Sequence, residues 1–204
     1  MQRFFGAPMT RWASMRNRLH VYVLPQAELR VELEARQRAL ESAEYCSIQP
    51  GGFLHATVQQ FAVTSEEVSA GQLAAFNGAL ADLAAATEPF GVDLDAPLAD
   101  DFSLGVRGTP TPPWRALVER VRSAGAETIN AGFRLPGAPG RPHISLGYGL
   151  ADGSTAQVQA AADALALRRL PALRVDGVHV LAVHQDVRRG IFTWDSSALH
   201  RLRG

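Results

Sequence analysis

Phe53-Leu54-His55-Ala56-Thr57-Val58-Gln59 and Pro142-His143-Ile144-Ser145-Leu146-Gly147-Tyr148 decide how this chain is read. Each stretch holds a histidine followed two positions later by a hydroxyl residue, inside an apolar run of strand character. Residues two apart in a strand share a face, so each presents an imidazole beside a hydroxyl. Six histidines at this composition give roughly 0.6 such pairs by chance, and the weight therefore falls on the flanks. Gly51-Gly52 leads into the first tetrad and Gly140-Arg141 into the second, both turn signals that open a strand, and an alanine-rich helical stretch follows each. Two imidazoles that titrate near neutrality supply a general base and a general acid. Two hydroxyls facing the same cleft supply donors for the non-bridging oxygens of a phosphate.

Working outward from the tetrads, the chain predicts one order of elements twice. His20 to Leu24 reads as a strand stopped by Pro25, and Leu29, Leu33 and Leu40 recur at helical spacing over residues 26–44. Cys46 to Gln49 is a short strand, residues 53–63 the first tetrad strand, and a helix opens at Ser65 and continues over 73–86. Residues 90–94 and 102–106 are strands. In the second half, the prolines of 110–113 open a helix over 114–126, residues 142–148 form the second tetrad strand, and Ser154 caps a helix to 167. Strands over 173–184 and 190–194 close the chain. The expected fold is α+β: a pseudo-duplicated, two-lobed single domain over 18–204, with two antiparallel sheets forming a central cleft and helices outside. Residues 1–17, rich in arginine and free of acids, are expected to be a flexible N-terminal extension.

With its motifs and element order together, the chain resembles the two-histidine (2H) phosphoesterase superfamily, which includes bacterial 2′-5′ RNA ligase-like proteins and 2′,3′-cyclic nucleotide phosphodiesterases. The likeness rests on His55-Ala56-Thr57-Val58, on Pro142-His143-Ile144-Ser145-Leu146-Gly147-Tyr148, and on the 88 residues between the histidines. It implies that His55, Thr57, His143 and Ser145 are catalytic. It also implies that His55 protonates a leaving 3′ oxygen while His143 activates water, so that a 2′,3′-cyclic phosphate opens to a 2′-phosphate. Tyr148 matches the position of an aromatic ligand contact in relatives, yet strict alternation puts it on the opposite face from His143. Only a bulge or strand end near Gly147 reconciles the two.

Arg141, two residues before His143, and Gln59, two residues after Thr57, share strand parity with the tetrads and are the remaining candidates for substrate contact. The other histidines, His20, His179, His184 and His200, join no carboxylate or cysteine cluster at ligand spacing. Neither a metal site nor a cofactor is expected. All 20 basic residues are arginine, which excludes a lysyl-adenylate ligase. With a net charge of zero, strong bulk attraction for nucleic acid is not expected, and the partner is a small phosphodiester or an RNA end. No apolar run reaches the length of a membrane span. Cys46 stands alone, which rules out an internal disulfide and fits a reducing cytoplasm, and a monomer is expected. Three readings remain open: a cyclic phosphodiesterase, a 2′-5′ RNA ligase using the same site, and a non-catalytic RNA or nucleotide binder. Complete tetrads favour the first.

Overall fold

Leu19, Val21 and Val23 are buried toward the helices, and His20 and Tyr22 between them point to the opposite face, so the first strand, β1 (Arg18–Val23), is two-sided. The same alternation sets the rest of a computed structural model that describes residues 1–6, 12–129 and 135–203. After β1 come α1 (Ala27–Gln37), β2 (Ala56–Thr64), α2 (Ala70–Ala85), β3 (Phe90–Val92), β4 (Leu98–Ala99) and β5 (Ser103–Arg107). Then follow α3 (Pro112–Thr128), β6 (His143–Tyr148), α4 (Thr155–Ala164), β7 (Leu173–Val175), β8 (Gly177–Asp186) and β9 (Ile191–Arg201). Thr111 caps α3 ahead of its prolines, and Ser154 caps α4. The second helix starts later than its acidic run predicts. Residues 65–67 form a turn, and a reciprocal Ser69/Gln72 capping box begins α2 at Ala70, because it satisfies two end amides at once.

Among the described residues, seven antiparallel strands form one sheet in the order β4-β5-β6-β2-β1-β8-β9, and β3 pairs with β7 in a separate ribbon. The α+β class and antiparallel pairing hold. The two expected sheets, however, are halves of one, joined between β2 and β6 by a single residue pair, Ala56 opposite Ile144. The expected repeat also closes differently in space. The β8–β9 hairpin pairs with β1 and completes the lobe of the first tetrad instead of adding to β6. Helices are exchanged too: α1 and α4 pack on the β4-β5-β6 lobe, while α2 and α3 cover β2 and the β8–β9 hairpin.

The stretch expected as a short strand, residues 46–49, makes one bridge, Cys46 to Gly149, and otherwise stitches the lobes together. Ser47 N–H donates to Tyr148 O at 2.8 Å on β6, and its hydroxyl donates to Gly190 O at 2.6 Å in the β8–β9 turn. The Gln49 side chain donates to Phe192 O at 2.7 Å and accepts from Phe192 N–H at 3.0 Å. Buried Gln37 reaches both Gln49 O and Leu146 O. The Gln49 side chain thus holds β9 while its own N–H donates to Leu146 O at 2.9 Å on β6, so the segment is bonded to both sides of the seam.

Of the expected flexible extension, residues 7–11 lie outside the described residues, residues 13–16 are exposed, and Met1, Phe5 and Trp12 are buried against the molecule. Phe4 N–H donates to Gly149 O at 2.9 Å, Phe5 and Trp12 are buried, and both join an aromatic group with Tyr22, Tyr148 and Phe192 on the cleft face of the sheet. Leaving Phe4, Phe5 and Trp12 in water would expose a large apolar area that this group can cover.

Candidate active site

Both tetrads begin at the seam. His55 immediately precedes β2, and His143 is the first residue of β6, so the paired residues Ala56 and Ile144 each directly follow a histidine. Continuing that antiparallel register by one residue each way sets His55 across from Ser145 and His143 across from Thr57, on the face opposite the buried Ala56 and Ile144 side chains. Opposed Cβ atoms in such pairs are about 5 Å apart. The four groups line one cleft of about 500 Å³, together with Tyr22, Arg107 and Tyr148.

The two imidazoles are anchored alike. His55 Nδ1 lies 2.9 Å from Phe53 O and His143 Nδ1 lies 3.0 Å from Arg141 O, in each case the carbonyl two residues back. A carbonyl only accepts, so Nδ1 carries a hydrogen in both rings and Nε2 is the nitrogen left for chemistry. The turns ahead of each tetrad aim those carbonyls: a 3-10 turn at Gly51–Phe53, and the Arg141-Pro142 entry to β6.

The surroundings of the rings differ. His55 is 8% exposed. Tyr22 stacks flat on it with centroids 4.0 Å apart, and the edges of Trp194 and Phe192 close the other sides. Burial disfavours the imidazolium and pushes the His55 pKa down to about 4, against the Phe53 hydrogen bond, with the His143 charge adding a little in the same direction as burial. His143 is exposed.

A bulge follows each tetrad hydroxyl and decides which candidates reach the cleft. In the β1–β2 register, Tyr22 opposes Thr57 but Val21 opposes Gln59, leaving Val58 unmatched. In the β5–β6 register, Gly105 opposes Ser145 but Leu104 opposes Gly147, leaving Leu146 unmatched. One extra residue inverts parity beyond it. The structure therefore brings Tyr148 round to the cleft with His143 and Ser145, by a bulge at Leu146, next to the Gly147 position named from the sequence. The same inversion removes Gln59. It is fully buried beneath the sheet, accepting from Arg122 at 2.6 Å, and Gln60 lines the cleft in its place.

Arg141 does not reach the cleft either. It precedes β6, so strand parity does not govern it, and its guanidinium is held by Gly108 O at 3.2 Å and Asp95 at 3.4 Å. Among the described residues, the arginine lining the cleft is Arg107, opposite His143 in the β5–β6 register, on a cleft face that alternates Ser103, Gly105, Arg107. Asp100 pairs with it at 2.6 Å and orients it. That polar alternation is visible in the sequence and could have found Arg107. His20 and Tyr22 of β1 also line the cleft. Among the described residues, no three His, Cys, Asp or Glu side chains are placed to hold a metal, and no helix is long and apolar enough to cross a membrane.

Residues 17–187 match the model of the 2′-5′ RNA ligase superfamily. Solved structures with the same fold include TT0787 of Thermus thermophilus, at TM-score 0.69 and 20% identity over 92% of this chain and 98% of that one. LigT of E. coli complexed with 3′-AMP matches at 0.65 and 18%, covering 93% and 99%. Usb1 of Kluyveromyces marxianus with uridine monophosphate matches at 0.54 and 16%, covering 91% and 99%. No curated protein matches the chain.

Proposed function

The chain belongs to the 2′-5′ RNA ligase superfamily, and on that premise we propose that it is a metal-independent phosphodiesterase opening 2′,3′-cyclic phosphates of nucleotides or RNA ends to 2′-phosphates. The observation that carries this reading is the pair of imidazoles, each with Nδ1 tied to its own backbone, lining one cleft with a hydroxyl across from each. In-line displacement at phosphorus needs a base on the attacking water and an acid on the leaving oxygen, and here these come from opposite lobes. Thr57, Ser145 and Arg107 hold the non-bridging oxygens and stabilise charge as it builds. The solved relatives hold 3′-AMP and uridine monophosphate, small nucleotides of the size this cleft admits.

In this reading His55 is the acid and His143 the base, a division taken from the family. An acid needs its proton, and His55 alone in its aromatic pocket holds one only near pH 4. A phosphodiester monoanion about 5 Å away at an effective dielectric of about 20 contributes about 3 kcal/mol, or about 2 pKa units. Substrate thus brings the imidazolium into its working range, and the acid is charged only where there is something to protonate.

The test is product analysis. Adenosine 2′,3′-cyclic phosphate and an RNA ending in a cyclic phosphate are incubated with the protein in EDTA, and phosphorus NMR identifies the product. A 2′-phosphate is expected. A 3′-phosphate would overturn the assignment of His55 as acid and leave the two-histidine site standing. A dependence on added divalent ion would overturn the metal-free mechanism. RNA joined to a 5′-hydroxyl end, in place of hydrolysis, would make the protein a ligase.

A further inference from the structure

Behind Thr57 lies a chain of polar groups that the chemistry above does not use. His20 and Tyr22, two apart on the cleft face of β1, are 3% and 1% exposed. His20 Nδ1 lies 2.5 Å from the Tyr22 phenol oxygen. Tyr22 opposes Thr57 in the β1–β2 register, which sets its phenol beside the Thr57 hydroxyl on the cleft face, where the two interact. His20 Nε2 has no hydrogen-bond partner among the described residues.

Two proton arrangements fit this chain. If Tyr22 donates to His20, the phenol oxygen must accept from Thr57, the Thr57 proton is turned away from substrate, and His20 Nε2–H is a buried donor with no acceptor. If His20 Nδ1–H donates to Tyr22, then Tyr22 O–H donates to Thr57, and the Thr57 proton is free for the cleft. Orphaned buried N–H groups are rarer than under-used acceptors. Burial, with Arg18 adding to it, keeps the His20 ring neutral, so it carries one hydrogen. The rarity of orphaned donors then selects the second arrangement.

We propose that His20 and Tyr22 are positioning residues whose hydrogen bonds run in one direction, from His20 to Tyr22 to Thr57, and so aim the Thr57 hydroxyl proton at a phosphate oxygen of the substrate. This rests on the functional reading above. Ser145 faces the Tyr148 phenol in the same way, so each tetrad hydroxyl has a buried phenol behind it.

The test is a double-mutant cycle read by calorimetric binding of inorganic phosphate, which needs no turnover. Tyr22→Phe keeps the ring on His55 and removes the link. It should weaken phosphate binding about tenfold, as the loss of one hydrogen bond to a charged group does. Thr57→Ala should cost about the same, and the double variant no more than Thr57→Ala alone. His20→Phe, which keeps Tyr22 in place, should fall in the same direction. With a cyclic phosphate substrate, Tyr22→Phe should leave the acid limb of kcat/KM where it is, because the stacked ring over His55 remains. Unchanged phosphate affinity in Tyr22→Phe, effects that multiply in the double variant, or a parent that binds no phosphate would each overturn the proposal. A parent that binds phosphate with this coupling but opens no cyclic phosphate would sink the functional reading alone.

Discussion

Taking a proton into an aromatic pocket is expensive, and the two histidines stand on opposite sides of that cost. If they are the acid and base, His55→Ala and His143→Ala should each lower turnover by about two to four orders of magnitude, and Thr57→Ala and Ser145→Ala by less, in steady-state assays on any substrate the parent cleaves. Wild-type turnover in either histidine variant would end the two-histidine mechanism. The depressed His55 pKa makes a second claim. Activity follows the population of the singly protonated pair, of which the form with the proton on His55 reacts, so the acid limb of kcat/KM should lie near pH 4, far below a free imidazole. The limb of kcat should lie higher, because bound phosphate holds the proton on. An acid limb of kcat/KM at about pH 6 would show that His55 is not desolvated.

The elements explain why the tetrads could be read from sequence and their neighbours only in part. Alternation over three residues is local, and His55 with Thr57 and His143 with Ser145 came out on shared faces. Beyond Val58 and Leu146 the parity rule fails, because a bulge depends on a partner strand that is distant in sequence: β1 for the first tetrad and β5 for the second. Gln59 was lost and Gln60 missed for that one reason. Tyr148 was kept only by allowing for irregularity near a glycine. Gly147 is itself under close constraint, since a Cβ there would lie 2.0 Å from Ser47 O and 2.6 Å from Leu40 Cδ1. Gly147→Val should therefore destabilise the protein by about 2 kcal/mol, seen as a lower urea midpoint at unchanged slope, and should raise KM by moving Tyr148. An unchanged midpoint would mean that the 46–49 segment does not lie against β6.

For the whole molecule, the buried imidazoles set the response to acid. His55 and His20 both hold pKa values below the ordinary 6.5 because burial disfavours their charge. The unfolded chain therefore takes up protons first. Stability should be complete above pH 6.5 and fall as pH drops towards 4, by about 3 kcal/mol for His55, with His20 adding in the same direction. Urea denaturation at pH 7 and pH 4.5 measures this. A His55→Phe variant should lose less over that interval than the parent, and equal losses would remove His55 as a cause.

The exchange of elements between lobes has a temporal consequence. The β4-β5-β6 lobe has all its strands and both helices once residue 164 has been made, whereas the lobe carrying the early residue His55 must wait for β8 and β9. Phe192 and Trp194, which close the pocket around His55, lie on that last strand. During synthesis His55 is thus an ordinary solvated histidine for most of the chain's growth, and its altered acidity is among the last properties the protein acquires.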